Sequence, residues 1–392
     1  MTDEFSGARQ ILVDISQIVR NDAKTGIQRV TRSILLHLSK NLLPGYTTRP
    51  VYAMEEECGY RYADIGLPHL SPRHAEETNK AIEVNSGDIF IGLDLQRQVV
   101  IAQKNFLQHL RKTGVKIYFV IYDLLPIQIP WGFVDGTAGM HQRWLEALVN
   151  FDGALCISKS VADEMKNWLR ENFPTHEQGF RVGWFHLGAD IENSIPSHGM
   201  PTDAGNLLNS LAEKPSFLMV GTIEPRKGYR QVLSAFERMW AKNIECNLAI
   251  VGKAGWKVDD LLQTLRTHPQ RGHRLFWLDG ISDQFLQKIY AGTTCLIAAS
   301  EHEGFGLPLI EAARHNLPII ARDIPVFREV TGDHAWFFQG KEPEDIERAV
   351  SRWLQVHARG KHPRSEKMIT ISWEESTRQL LNNIDWPTGY QH

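Results

Sequence analysis

Cys295-Leu-Ile-Ala-Ala-Ser-Glu-His-Glu-Gly-Phe-Gly-Leu-Pro-Leu-Ile-Glu311 reads as a strand, a glycine-containing loop and the start of a helix. The apolar run Cys295–Ala299 has the length and character of a buried strand. Proline is favoured in the first turn of a helix, so the helix starts near Pro308. Gly304 and Gly306 lie just before it and let the main chain come close to a ligand. The N–H groups of Gly306, Leu307 and the first helical residues then point outward, and a helix N-terminus of this kind attracts phosphate. Glu303 and Glu311 frame the loop, with Phe305 between the glycines. A carboxylate repels phosphate, so this pair suits sugar hydroxyls on either side of a diphosphate. Singly, Glu311 reads as a favourable charge in a first turn and Glu303 as a solvated loop residue. Together they favour a nucleotide-sugar donor site.

The same strand–loop–helix unit recurs on both sides. In the second half, strands at Ser216–Gly221, Asn247–Val251, Leu275–Leu278, Cys295–Ala299 and Pro318–Ala321 alternate with helices at Tyr229–Trp240, Val258–Thr267, Asp283–Ala291 and Pro308–Arg314. In the first half, strands are predicted at Ile11–Ile15, Ile89–Leu93, Lys116–Tyr122, Gly153–Ile157 and Val182–Leu187. Helices fall at about Gly26–Leu38, Met140–Asn150 and Ser160–Arg170, with Ser160 as N-cap and Asp163 completing a capping box. This alternation predicts an α/β chain: two Rossmann-like doubly wound domains facing across a cleft, with ligands beyond the carboxyl ends of the strands. Pro196, Gly199, Pro201 and Gly205 break the pattern. The expected division is an acceptor-side domain at 1–190, a linker at 191–215, a donor-binding domain at 216–370 and a helix at 371–392 crossing back to the first domain.

Composition is that of an ordinary globular protein, 42% apolar and 23% charged over 392 residues. A net charge of −3, with no long block of one sign, gives no support for a nucleic-acid partner. Cys58, Cys156, Cys246 and Cys295 form no paired metal knuckle, and Cys156 and Cys295 sit in apolar runs as buried thiols would in a reducing compartment. No signal peptide is recognised, and no stretch reaches the roughly 20 apolar residues of a membrane span. The expected location is the cytoplasm, with peripheral contact at the inner face of the membrane or in an assembly complex left open.

Three further loops carry candidate chemistry. Val220-Gly-Thr-Ile-Glu-Pro-Arg-Lys-Gly228 places Arg226 and Lys227 between a strand and a helix, where they would neutralise a diphosphate leaving group or form a solvated basic turn. In Asn21-Asp-Ala-Lys-Thr-Gly-Ile-Gln-Arg29, Thr25 and Gly26 open an amphipathic helix, either as a plain capped start or as a ligand loop. Asp123, in Tyr122-Asp-Leu-Leu-Pro126, ends a strand and would bind a sugar or cap the turn before Pro126. Trp256 would line the nucleotide pocket or pack on the surface. No acidic cluster of the kind that holds a metal stands in a strand-end loop, so neither metal nor cofactor is expected. A glycine fingerprint for dinucleotides follows neither Ile11–Ile15 nor Ser216–Gly221, which argues against an oxidoreductase.

Glu303–Glu311 resembles the paired-glutamate motif of family 4 glycosyltransferases, retaining enzymes of the GT-B fold. The resemblance covers most of the chain, closely from Ser216 to about Glu329 and more loosely before it. It implies that Glu303 contacts the donor sugar and Glu311 the nucleotide ribose. Lys227 matches the family's loop lysine. Thr222, after Gly221, stands where that loop usually has Arg, which implies Arg226 as the second cation. Gly26 falls where the family's glycine-rich loop approaches the diphosphate, and Tyr122 replaces the usual His beside Asp123. The Gly-Thr-Ile-Glu-Pro-Arg-Lys variant looks like that of bacterial mannosyltransferases of polysaccharide assembly. It implies GDP-mannose as donor and a glycan or lipid-linked glycan as acceptor, as in lipopolysaccharide synthesis, with Glu303, Lys227 and Asp123 as catalytic candidates. The N-terminal loops 55–72 and 126–139 are the expected acceptor surface. The competing readings are a non-catalytic nucleotide-sugar-binding or scaffold protein of this fold, and an epimerase or phosphorylase, the latter without a marked pyridoxal lysine.

Overall fold

The computed structural model describes residues 9–40, 43–66, 77–174 and 179–386. They form two compact units. One takes the chain to Ile127, Gly136–Gly188 and the chain from Ser372; the other takes Gln128–Asp135 and Ala189–Ile371.

The first unit holds β1 (Arg9–Asp14), β2 (Tyr46–Tyr52), β3 (Arg61–Tyr62), β4 (Ile89–Gly92), β5 (Lys116–Ile121), β6 (Gly153–Cys156) and β7 (Arg181–Trp184). Their order across the sheet is β3-β2-β1-β4-β5-β6-β7. All neighbours run parallel except β2 and β3. β4, β5 and β6 are almost wholly buried, because helices cover both faces of a doubly wound sheet. The helix Trp373–Leu381 belongs to this unit and packs on the helix Gly26–Leu38. Ser376 Oγ donates to the His186 carbonyl at 2.6 Å, and Trp373 is fully buried. Gly188 makes that docking possible, since a Cβ there would lie 2.5 Å from the Trp373 backbone nitrogen.

The second unit holds β8 (Ser216–Val220), β9 (Asn247–Val251), β10 (Leu275–Leu278), β11 (Cys295–Ala298), β12 (Ile319–Arg322) and β13 (Trp336–Phe338), all parallel, in the order β10-β9-β8-β11-β12-β13. The strand order reverses between β8 and β11, so the loops after these strands flank the switch point where open α/β sheets bind ligands.

Several elements differ from expectation. Ser158, not Ser160, caps the helix Lys159–Asn172; its Oγ accepts from Val161 N at 3.1 Å. Asp163 pairs instead with Lys159 at 2.6 Å, one turn back. The reason is that β6 ends at Cys156, leaving Ser158 as the last extended residue before the helix. Strands β2, β3 and β13 and the helices Arg97–Ala102, Lys104–Lys112 and Pro343–His357 were not anticipated. The expected linker carries a helix, Ala204–Glu213, packed on Asp283–Gly292. The acceptor loop expected at 55–72 lies in part, at 67–72, outside the described residues. Cys156 and Cys295 are buried free thiols, as their apolar runs predict. Among the described residues no helix is long and apolar enough to cross a membrane.

Candidate functional site

The loops after β8 and β11 meet at Glu303. Lys227 Nζ donates to Glu303 Oε1, Arg226 Nη1 donates to Oε2 at 3.1 Å, and Ser300 Oγ donates to Oε1 at 2.8 Å. Burial alone would push the Glu303 carboxyl up. The charges of Lys227 and then Arg226, with hydrogen bonds from Lys227 and Ser300, outweigh it and hold the group at about 2. Glu303 is therefore a fixed carboxylate at neutral pH.

Arg226 is the hub of the cluster. Its Nη1 also donates to the His302 carbonyl at 2.9 Å, and its Nη2 stands 2.9 Å from Glu224 Oε2. The main chain adds Glu301 N to the Arg226 carbonyl at 2.8 Å. Two glycines allow this approach. Gly228 has φ +74°, and a Cβ there would lie 2.5 Å from the Ala299 carbonyl oxygen at the end of β11. Gly252 lies against Gly221, where a Cβ would meet the Gly221 oxygen at 1.9 Å. Beneath them, buried Arg322 donates from Nε to the Ala299 carbonyl at 3.0 Å, and Tyr229 OH donates to the Gly221 carbonyl at 2.6 Å.

The helix Leu307–Arg314 follows, with Pro308 in its first turn and Gly306 as N-cap at φ +100°. Only glycine fits there, because a Cβ would also meet Leu309 and Phe327 at 2.9 Å. Gly304 and Phe305 are buried and Leu307 is half-buried. Glu311 lies beyond the first turn and is 3% exposed, accepting from Tyr290 OH at 2.7 Å. The reading of Glu311 as a mere first-turn charge is thus excluded. Thr222 sits half-buried with its methyl toward Gly255, and its short uncharged side chain cannot take the role of the family's arginine. Arg226 is the cation found there instead.

Trp256 packs rather than standing open. Its Nε1 donates to the Gly132 carbonyl at 2.8 Å, and its ring stacks on Phe133 at 5.9 Å. The Arg226 guanidinium lies 5.9 Å from the centre of the same Phe133 ring. The segment Gln128–Asp135 is thereby held to the second unit.

Gly26 and Asp123 belong to the first unit. Thr25 caps the helix through a capping box with Gln28, so the plain capped start predicted as one option is realised, and Gly26 is its exposed first residue. Asp123 Oδ1 accepts from Leu125 N at 3.2 Å, the turn-capping alternative. Tyr122 is buried, donating to the Leu93 carbonyl at 2.8 Å, so the residue in place of the family's His is a core residue here.

Two constellations escaped sequence reading. Arg97 Nε donates to His141 Nδ1 at 2.8 Å. Burial first, and then the Arg97 charge, push His141 down to about 3, which keeps it a neutral acceptor. Burial likewise lowers Arg97, and the Asp123 charge partly offsets this. At the carboxyl ends of β1 and β4, burial raises Asp14 to about 6 and Asp94 to about 7. Both carboxylates accept from nearby N–H groups, Ser16 at 2.9 Å and Ile18 at 2.8 Å, and so fix the loop after β1. Arg97 and His141 lie 44 positions apart and Ile18 and Asp94 lie 76 apart, so no local motif marks these pairs.

A family model, the group 1 glycosyl transferases, matches residues 208–369. Those residues form a group 1 glycosyl transferase domain. The serotype-specific mannosyltransferase WbdA of Escherichia coli is 45% identical over 381 residues, covering 96% of this chain and 46% of its own length. The O-antigen chain mannosyltransferase B of the same species is 30% identical over 176 residues, 42% of this chain and 44% of its own. The chain spans about half the length of the curated relatives it matches. Among solved structures, Anabaena HepE in complex with UDP and glucose is similar, with a TM-score of 0.59 at 13% identity over 96% of this chain and 95% of its own. Sucrose-phosphate synthase from Thermosynechococcus elongatus gives 0.61 at 15% over the same shares. These likenesses establish the GT-B fold, and the resemblance read from Glu303–Glu311 holds. The transferase domain carries Lys227, Arg226, Glu303 and Glu311 within its matched residues.

Proposed function

We propose that the chain is a retaining glycosyltransferase that moves mannose from GDP-mannose to a glycan or lipid-linked glycan in surface polysaccharide synthesis, working at the cytoplasmic face of the membrane without a metal. The observation that carries the reading is the Glu303 carboxylate fixed by Lys227 and Arg226 at the β8/β11 switch point, just ahead of a glycine-capped helix N-terminus. The similarity to the mannosyltransferase WbdA supports the mannosyl donor, and the similarity to an O-antigen chain mannosyltransferase supports the polysaccharide acceptor.

In this reading the diphosphate lies over the N-terminus of Leu307–Arg314, within reach of Lys227 and Arg226. The bond between the sugar's anomeric carbon and the phosphate oxygen breaks as the acceptor oxygen bonds to the same face. The acceptor's proton passes to the leaving diphosphate, whose growing charge the two cations stabilise. Glu303 orients the sugar hydroxyls and favours positive charge at the ring. Glu311, steadied by Tyr290, holds the ribose. Asp123 is the acceptor-side candidate.

The test is a panel of sugar nucleotides offered with a mannose-terminated oligosaccharide, followed by nucleotide release and by the anomeric configuration of the product. Transfer from GDP-mannose with an α product supports the proposal. Tight nucleotide-sugar binding with no transfer would favour a binding or scaffold protein of the same fold. A β product would remove the retaining mechanism.

A further inference from the structure

Among the described residues, the second unit exposes two large apolar side chains within four positions of each other, Trp131 at 50% and Val134 at 53%. They stand on a segment that is held firmly. Pro130–Gly132 forms a single tight turn, with Gly132 N bonded to the Ile129 carbonyl at 2.9 Å. Trp256 grips the Gly132 carbonyl, Phe133 is buried against Trp256, and Lys257 pairs with Asp135 at 2.7 Å. The turn also lies close to Arg226: a Cβ at Gly132 would be 3.8 Å from Arg226 Cβ, and Arg226 in turn binds Glu303. Successive Cα atoms are about 3.8 Å apart, so the Trp131 backbone is one step from a glycine packed near Arg226.

An indole offers a broad apolar face and one N–H donor, the chemistry that meets the C–H face and hydroxyls of a hexose. Trp131 offers that chemistry from an exposed position on a turn anchored beside Arg226. We propose that Trp131, flanked by Val134, is the stacking platform of an acceptor subsite, taking a hexose residue of a glycan chain next to the transferred sugar. The inference rests on the glycosyltransferase reading and adds the residue that engages the acceptor. Trp131 acts by binding and takes no part in bond making.

The experiment uses the whole chain, with GDP and an α-linked mannotriose as probe, and reads saccharide binding by saturation-transfer NMR. GDP-mannose affinity is measured on the same samples. Trp131→Ala is expected to weaken trisaccharide binding about tenfold, as loss of one aromatic stacking contact implies, with GDP-mannose affinity unchanged. Trp131→Phe keeps most of the binding. Trp184→Ala removes another exposed tryptophan, in the first unit beside His186, and leaves it intact. Unchanged binding in Trp131→Ala, or equal loss in Trp184→Ala, overturns the inference. A wild-type chain that binds GDP-mannose but no saccharide overturns it while leaving the donor reading in place. A chain that binds neither overturns both.

Discussion

Glu303 is charged where burial opposes charge, and Lys227 and Arg226 make the charge sustainable. Its folded value, about 2, lies below the ordinary 4.5, so the cluster's contribution is complete above pH 4.5 and is lost as pH falls toward 2. Glu303→Gln leaves two poorly solvated cations facing each other and should cost about 3 kcal/mol of stability at neutral pH. Lys227→Ala in the same chain should recover part of that loss; denaturant titration of the four chains of the double-mutant cycle measures it, and strict additivity would mean that the pair is uncoupled. His141 obeys the opposite chemistry. It is neutral when folded, with its value pushed from 6.5 to about 3, so it destabilises the fold progressively as pH falls through that window. His141→Gln keeps an acceptor for Arg97, and its stability should therefore fall less steeply between pH 6.5 and 4 than the wild type's, by up to about 1.4 kcal/mol per pH unit. Parallel curves would show that His141 titrates normally. Glu303, Lys227 and Arg226 were legible because loop position and charge suffice to name them. Glu224, Ser300 and Tyr290 were not assigned roles, since a carboxylate's hydrogen-bond partners depend on which loops a fold brings together. For Glu311 the environment differs from a simple helix-end charge because Tyr290 reaches it from a neighbouring helix.

The strand-to-helix loops depend on backbone shapes that few residues adopt. Gly228 combines a left-handed backbone with contact against Ala299, so Gly228→Ala should push the Arg226–Lys227 loop away from β11. The expected outcome is a loss of about 1–3 kcal/mol together with weaker donor binding, read by thermal melting and nucleotide titration. A melting loss with donor affinity untouched would separate this loop from the site. The central strands were legible as apolar runs, and the helix starting beside Pro308 followed from proline's preference for a first turn. The outer strands were not: β2, second from the edge of its sheet, contains Thr47, Thr48, Arg49 and Pro50, and its mix of buried and half-buried residues gives no apolar run. Ser158 and Ser160 are equally good caps on paper, and only the end of β6 decides between them.

The two units draw on sequence in a crossed way. The chain from Ser372 completes the first unit, and Gln128–Asp135 completes the second. Trp373, Leu380, Leu381 and Ile384 are all buried, and large apolar side chains contribute about 1.5–3 kcal/mol each when removed from water. A chain ending at Ile371 should thus lose its first unit's stability while the second unit keeps its own, seen as hydrogen-exchange protection that disappears from β1, β4 and β5 but persists in β8, β9 and β11. Equal protection in both would deny the final helix that role. The alternation of strands and helices made the two-sheet architecture readable, and a polar stretch before Trp373 hinted at the last helix. The transfer of Gln128–Asp135 to the other unit was hidden, because nothing local ties Phe133 to a tryptophan 123 positions later. Glu303 carries the proposed chemistry. The decisive measurement is the rate of mannosyl transfer from GDP-mannose by the wild type and by Glu303→Gln, with GDP affinity determined on both. A fall of about 10²–10³ in rate with GDP binding retained is the predicted result; transfer at the wild-type rate by the variant would contradict it.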